Sequence, residues 1–319
     1  MKSANPLISV IMPCYNASRF VSEAILCVIQ QTYSNTEIIV VDDGSSDSST
    51  DIVRELAETY HGRIHLLQQN HRGPYPARNL GLRHAKGKYV SFLDADDWWE
   101  NNCLEILLGS LQKTGADLAY CGWQNVGDNA PDQDPYIPPA YETGDMVALF
   151  LKGCPWPIHA ALTSRDVISA VGGFSERRFA SMDYDFWLRI LAHTRKMTRV
   201  PEVLAFYRWH GKDQISSTKW RQVLDAVQVR RDFANRHPAL TSHIPSESLN
   251  DLVEGQLLKE AYRVYWKRDL PNAQKLFRAA LASRAWHARD LKYLLPSILP
   301  SRLFQGLVGL TDKSREAGH

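Results

Sequence analysis

Apolar runs and helical periodicities alternate through the first 125 residues. Leu7-Ile8-Ser9-Val10-Ile11-Met12-Pro13 is an almost unbroken apolar stretch, the pattern of a strand buried on both faces. Ser18 to Gln31 then places Phe20, Ala24, Ile25 and Val28 on one helical face. Glu37-Ile38-Ile39-Val40-Val41-Asp42 is a second strand, and its turn-rich loop, Gly44 to Ser49, feeds a helix through Tyr60. A weaker strand spans Arg63 to Gln68, followed by a loop from Asn70 to Pro76 and a helix from Ala77 to Ala85. Tyr89-Val90-Ser91-Phe92-Leu93 is the fourth strand, with a helix reaching about Lys113, and Asp117 to Trp123 is the fifth. This alternation predicts an α/β fold with a mostly parallel, Rossmann-like sheet flanked by helices.

Ligands of such sheets bind beyond the carboxyl ends of the strands. Four segments should therefore meet at one edge: Cys14-Tyr15-Asn16, Asp42-Asp43-Gly44, Asn70 to Asn79, and Asp94-Ala95-Asp96-Asp97. After Trp123 the alternation stops. Asp128 to Tyr141 holds four prolines and reads as an irregular excursion, Gly172-Gly173-Phe174 as a turn, and Tyr184 to Thr194 as a helix. From about Lys219 the pattern is helical, and Ala261 to Ala282 has the spacing of one tetratricopeptide-like pair through Ala273, Phe277 and Ala280. One unit cannot make a repeat array, so this is a helical appendage. The expected division is 1–217, with halves 1–125 and 126–217, and a helical region 218–319.

Composition adds little to the fold and more to the partners. Of 319 residues, 44% are hydrophobic and 23% charged, as in ordinary globular proteins. The net charge of +2 makes no case for nucleic acid, but it is unevenly spread. Residues 255–319 hold twelve Lys and Arg against five Asp and Glu, a charge of +7 that leaves −5 for the remainder. In 286–310, Trp286, Leu291, Leu295, Ile298, Leu303 and Phe304 alternate with Arg289, Lys292 and Arg302, and Pro296 and Pro300 break any long helix. Short amphipathic pieces of this kind suit weak peripheral contact with an anionic membrane face; packing on the appendage or at a dimer contact is the competing expectation. Five cysteines show no Cys-x-x-Cys pair, and neither a signal-peptide core nor a membrane-spanning stretch is evident, so a reducing cytoplasm is the expected location. The oligomeric state is not legible.

The sharpest chemistry is Asp94-Ala95-Asp96-Asp97. Three carboxylates in four residues repel one another unless a cation or water offsets them, and hard divalent cations such as Mg²⁺ and Mn²⁺ want such oxygens. Asp97, preceding Trp98-Trp99-Glu100, serves equally well as a helix cap. Asp43 can accept from a base N–H or simply close a turn. Arg72, Arg78 and Lys86 bring positive charge to the same edge, and Arg suits phosphate. Asp183 and Asp185 adjoin Phe186-Trp187, where apolar neighbours can raise a carboxyl pKa as a general base requires, although acids are also common at helix starts. His210 can ligate a metal or bond a phosphate; most lone histidines do neither. No Gly-x-Gly-x-x-Gly follows the first strand and no P-loop motif occurs, which removes the main support for dinucleotide-dependent hydride transfer and P-loop phosphoryl transfer.

Taken together these segments resemble the family 2 glycosyltransferases, enzymes of GT-A fold. The likeness runs through Ser9-Val10-Ile11-Met12-Pro13-Cys14-Tyr15-Asn16, Val41-Asp42-Asp43-Gly44-Ser45-Ser46-Asp47, Ala77-Arg78-Asn79, Ala85-Lys86-Gly87, Phe92 to Asp97, Gly172-Gly173-Phe174, Asp183 to Arg189 and Tyr207-Arg208-x-His210, over about residues 7 to 217. The resemblance implies that Pro13, Tyr15 and Asn16 line the nucleotide and that Asp43 bonds a uracil. It places Arg78 near the nucleotide, Asp94, Ala95 and Asp96 on the sugar-nucleotide, and Asp96, Asp97 and His210 at Mn²⁺ or Mg²⁺. Asp183 is the implied catalytic base. It further implies inverting transfer from a nucleotide-sugar, with a UDP-sugar favoured, to a glycan or lipid-linked acceptor in polysaccharide or glycolipid synthesis. One departure is Met182, where a Glu usually precedes the base. A sugar-nucleotidyl transferase would want a Gly-rich loop where Cys14 to Ala17 stands, a dehalogenase-like phosphatase would want Asp-x-Asp after the first strand, and a catalytically silent binding module finds support only in Met182.

Overall fold

A computed structural model describes residues 5–127, 130, 134–177, 180–210, 219–283 and 286–316. Eight strands form one sheet: β1 Ile8–Cys14, β2 Thr36–Asp42, β3 Ile64–Gln68, β4 Tyr89–Phe92, β5 Trp98–Trp99, β6 Leu118–Val126, β7 Ala161–Ser164 and β8 Met197–Arg208. Seven helices accompany them: α1 Val21–Ile29, α2 Ser49–Thr59, α3 Pro74–His84, α4 Cys103–Thr114, α5 Met146–Lys152, α6 Arg165–Val171 and α7 Met182–His193. The strand order is β3-β2-β1-β4-β7-β6-β8-β5. The β3-β2-β1-β4 half is parallel, and β7 enters antiparallel to both β4 and β6.

The parallel half follows from its residues. Every position of β1 and β2 is buried, so apolar side chains face helices on both sides. Gly81 lets α3 lie close on β1, since a Cβ there would come within 2.5 Å of the Ile11 side chain. The register pairs Cys14 with Asp42 and Asp42 with Gln68, which levels the carboxyl ends of β1, β2 and β3.

Three local expectations change. Helix α3 starts at Pro74, not Ala77, because proline is tolerated in a first turn, where no intrahelical donor is required. Trp98–Trp99 is a strand pairing with Phe206 and Ala205, so Asp97 caps no helix. Helix α7 starts at Met182, not Tyr184, so Asp183 lies inside its first turn rather than ahead of it. Strands β7 and β8 also continue the sheet beyond Trp123, where the sequence shows no alternation. Part of the proline-rich excursion, 128–129 and 131–133, lies outside the described residues.

The chain resolves into two compact units, one of 1–150 with 154–214, the other of 151–153 with 215–319. The second is helical: α8 Lys219–Arg236, α9 Pro238–Thr241, α10 Ser246–Asn250, α11 Gln256–Trp266, α12 Leu270–Ser283, α13 Leu291–Leu294 and α14 Ser301–Glu316. Ala273, Phe277 and Ala280 are buried along one face of α12, in a core with Leu257, Ala261, Leu294 and Phe304. The tail is thus divided: Leu294 and Phe304 are core, whereas Leu295, Ile298, Leu303 and Leu307 are exposed. No helix among the described residues is long and apolar enough to cross a membrane.

Candidate active site

All four segments singled out at strand ends gather at the carboxyl edge of the parallel half. The first two are laced together. The Asn16 amide donates to Ser45 Oγ at 3.0 Å, and Asn16 Oδ1 accepts from the Ser46 amide at 2.8 Å. Asn16 holds φ +47°, a left-handed geometry that asparagine tolerates better than most residues. Pro13 is buried at the end of β1, whereas Tyr15 presents its ring to solvent.

Asp43 is buried, and its carboxylate is occupied by the loop after β3. Oδ1 accepts from Gln69 Nε2 at 2.7 Å and the Arg72 amide at 2.9 Å; Oδ2 accepts from the Gly73 amide at 2.7 Å and faces His71 Nδ1 at 3.0 Å. A carboxylate offers about four acceptor positions; three are taken by these donors, and the His71 ring stands beside the fourth. Asp43 therefore shapes the 69–73 loop first of all.

Arg78, on α3, is buried and ion-paired with Asp94 Oδ1. The rings of Tyr75 and Phe174 flank its guanidinium, each centroid at 5.6 Å. Asn79, one residue on, donates to the Phe174 carbonyl at 2.9 Å and accepts from the Phe174 amide at 2.8 Å. Phe174 in turn stacks on Phe186 of α7 at 4.3 Å. These contacts fix the start of α7, where the Met182 amide reaches Tyr75 Oη at 3.4 Å.

Asp183 follows immediately. Burial raises its carboxyl above the usual range; the Tyr184 amide, 2.9 Å from Oδ1, and the positive charge of Arg78 pull it partly back, and Asp94 pushes it up again. Asp183 is thus electrostatically tied to the Arg78–Asp94 pair, with no direct ion pair to any of the described residues. Asp185 differs: it is buried against Arg189, with Oδ2 accepting from Nε at 2.8 Å.

At the Asp-rich turn the acids separate by environment. Ala95 is buried. Asp96 Oδ2 meets His210 Nε2 at 2.7 Å, a hydrogen bond that raises the imidazole above the ordinary histidine range. Asp97 turns inward. Its Oδ1 accepts from the Arg208 amide at 2.8 Å, and Oδ2 faces His159 Nδ1 at 3.1 Å. Both side chains are fully buried, and burial pushes Asp97 up to about 7. Arg208 also donates to the Asp96 carbonyl at 2.8 Å and to Glu23 at 2.9 Å, clamping the turn to the end of β8.

With Asp94 ion-paired to Arg78, a divalent metal finds Asp96 and His210 as a carboxylate and an imidazole side by side, and no group of three or more ligating side chains exists among the described residues. That set fits Mg²⁺ or Mn²⁺, which usually take one or two carboxylates and complete their shell with water and substrate phosphates. The expectation that Asp97 is a ligand does not fit, because both its oxygens face protein. Three contributors went unread in the sequence. His71 and His159 are single histidines without a motif, and Tyr75 sits in a segment read as loop. Arg208, by contrast, lies within the quoted Tyr207-Arg208-x-His210.

The fold and sequence have known counterparts. The glycosyl transferase family 2 model matches residues 9–172. A UDP-Glc:alpha-D-GlcNAc-diphosphoundecaprenol beta-1,3-glucosyltransferase of Escherichia coli is 31% identical over 229 residues, 71% of this chain and 86% of that protein. Among solved structures, S. aureus TarS 1–349 in complex with UDP-GlcNAc superposes with a TM-score of 0.66 at 18% identity, over 86% of this chain and 81% of that one. A mannosyltransferase from Pyrobaculum calidifontis, in complex with GDP-Man and Mn²⁺, gives 0.58 at 20% identity, over 98% and 89%. These structures share the GT-A sheet arrangement found here, and with the family match over more than half of the sequence the chain belongs to glycosyl transferase family 2.

Proposed function

We propose that this glycosyltransferase moves a sugar from a UDP-sugar to a hydroxyl of a glycan or lipid-linked acceptor, with inversion at the anomeric carbon. The observation that carries the reading is Asp183, a carboxyl raised by burial and held beside the Arg78–Asp94 pair at the strand-end edge. In this reading Asp183 takes the proton of the acceptor hydroxyl as its oxygen bonds the anomeric carbon, and the bond from that carbon to the diphosphate breaks. A positioned base contributes about 10²–10⁴ in rate.

Tyr15, Pro13 and Asn16 line the base end of the donor, with Asp43 behind them. Asp94, Ala95 and Asp96 hold the sugar-nucleotide, and Arg78 keeps Asp94 in place. Asp96 and His210 would hold Mn²⁺ or Mg²⁺, which when bound supplies charge neutralisation for the departing diphosphate. We read 1–217 as the catalytic domain and 218–319 as a helical accessory region.

A lipid-linked acceptor agrees with the name of the E. coli relative, whose acceptor is a diphosphoundecaprenol. It also agrees with the exposed Leu295, Ile298, Leu303 and Leu307, flanked by exposed Lys292 and Arg302 in a stretch, 291–311, that contains no acid. We read it accordingly as a cytoplasmic enzyme that touches the inner membrane face. The deciding experiment is a thermal-shift panel of nucleotide-sugars with and without Mn²⁺, followed by transfer assays with the stabilising donor. A UDP-sugar that stabilises and is consumed upholds the reading; stabilisation without hydrolysis or transfer under any acceptor favours a silent binding module instead.

A further inference from the structure

Tyr15 and His71 form a stacked pair at the open side of the Asp43 loop. Their ring centroids are 4.1 Å apart with planes inclined by 28°. The His71 ring is about half exposed, so core packing does not dictate its place. Two oxygens do: Nδ1 lies 3.0 Å from Asp43 Oδ2 and 3.2 Å from the Asp43 carbonyl. Both are acceptors, so Nδ1 carries the proton and donates. The backbone is built for this approach. Gly44 holds φ +77°, and a Cβ there would come within 3.0 Å of the His71 amide nitrogen and 3.5 Å of its Cβ. A side chain at 44 would be strained at this φ and would crowd the His71 backbone.

A flat ring is thus laid on Tyr15 with an N–H bonded to the Asp43 carbonyl and 3.0 Å from its buried carboxylate. A pyrimidine base offers the same two features, a π face and a ring N–H donor. Resting on the reading that Tyr15 and Asp43 form the base end of the donor site, we propose that His71 is a built-in surrogate for the base: it occupies the base position in the free enzyme and must swing out when a uridine nucleotide enters. Its exposure leaves it room to do so. The imidazole stays against the Asp43 carboxylate and stacked on one face of Tyr15 between turnovers. It also exacts a toll on affinity, because only the fraction of molecules with His71 displaced can take the base. A nucleotide whose base stacks but lacks a ring N–H facing Asp43 displaces His71 at a loss, which adds to discrimination between bases.

The test is isothermal titration of the full chain in Mn²⁺ with UDP and with inorganic pyrophosphate, which has no base. His71→Ala is expected to tighten UDP by about three- to ten-fold, the range for removing a modest competing state, and to leave pyrophosphate unchanged. Tyr15→Ala is expected to weaken UDP and leave pyrophosphate unchanged. Unchanged or weaker UDP binding in His71→Ala, with Tyr15→Ala still impaired, overturns the surrogate role and makes His71 part of the base platform. UDP binding untouched by Tyr15→Ala removes the base site itself and the inference with it. His71→Phe, which keeps the stack and loses the donor, should fall between wild type and His71→Ala; tightening beyond His71→Ala would also overturn the idea.

Discussion

Asp183 and Asp185 are two residues apart on one helix, yet their Asn variants should fail in opposite ways. Asp183 accepts the Tyr184 amide at 2.9 Å, a task which an Asn oxygen performs equally well. Asp183→Asn should therefore keep its melting temperature and bind the donor within a few fold. Turnover should fall about 10²–10⁴-fold, equivalent to about 2.7–5.4 kcal/mol of activation free energy. Asp185 is buried and bonded to Arg189, whose Nη1 donates to the Val171 carbonyl at 2.6 Å. Its replacement by Asn removes a charge from a hydrogen bond worth about 1.5–3 kcal/mol. At roughly 2–4 °C per kcal/mol for a unit of this size, that is about 3–12 °C in melting temperature. Turnover per folded molecule should change little. The assays are single-substrate kinetics and thermal melts of both variants beside wild type. Equal losses of turnover, with both proteins folded, would refute the assignment of Asp183 as base.

Asp96→Ala should abolish transfer while leaving the melt unchanged, and excess chelator should do the same to wild type; full activity in chelator would sink the metal reading. Asp97 should behave differently from Asp96. Its folded value near 7 lies above the unfolded value, so its contribution to stability is present below about pH 4 and is lost as pH rises through about 7. Asp97→Asn should flatten that loss, on the order of 1–3 kcal/mol between pH 5 and 8, seen by urea unfolding at the two pH values; an unchanged profile would show that Asp97 stays ionised. For the tail, exchanging Leu295, Ile298 and Leu303 for Ser should reduce co-sedimentation with anionic liposomes at low salt, whereas ending the chain near 285 would also strip Leu294 and Phe304 from the core and confuse the result. Equal sedimentation of the Ser variant and wild type would dismiss the membrane contact.

The parallel half was legible because β1 and β2 are buried on both faces and their residues say so. The carboxyl-edge rule alone brings Tyr15, Asp43, Arg78 and Asp94 together. What escaped has physical reasons. Strand β7 is four residues long, too short for a period to show. Strand β8 contains Pro201, which lacks a ladder donor and is accommodated where the register with β6 shifts between the Tyr120 and Gly122 pairings. The acids of the 94–97 turn look alike as letters. Only packing separates Asp96, open beside His210, from Asp97, sealed against His159. The occupied carboxylate of Asp43 depends on backbone amides of Arg72 and Gly73, which no side-chain pattern reports.

The reciprocal amide pair between Asn79 and Phe174 has a consequence for anyone recombining these enzymes. Asn79 treats Phe174 as a strand neighbour would, giving one hydrogen bond and receiving one, and Gly173 (φ +70°) leaves room because a Cβ there would meet Asn79 Oδ1 at 2.7 Å. A chimera that takes its first 125 residues from one relative and the rest from another cuts this joint in sequence while needing it in space. Crossovers should succeed where both parents carry Asn at 79 and the Gly-Gly-Phe turn at 172–174. They should misplace the start of α7, and Asp183 with it, where only one parent does. The inheritable unit of this active site is thus the matched pair of segments rather than either half of the sheet.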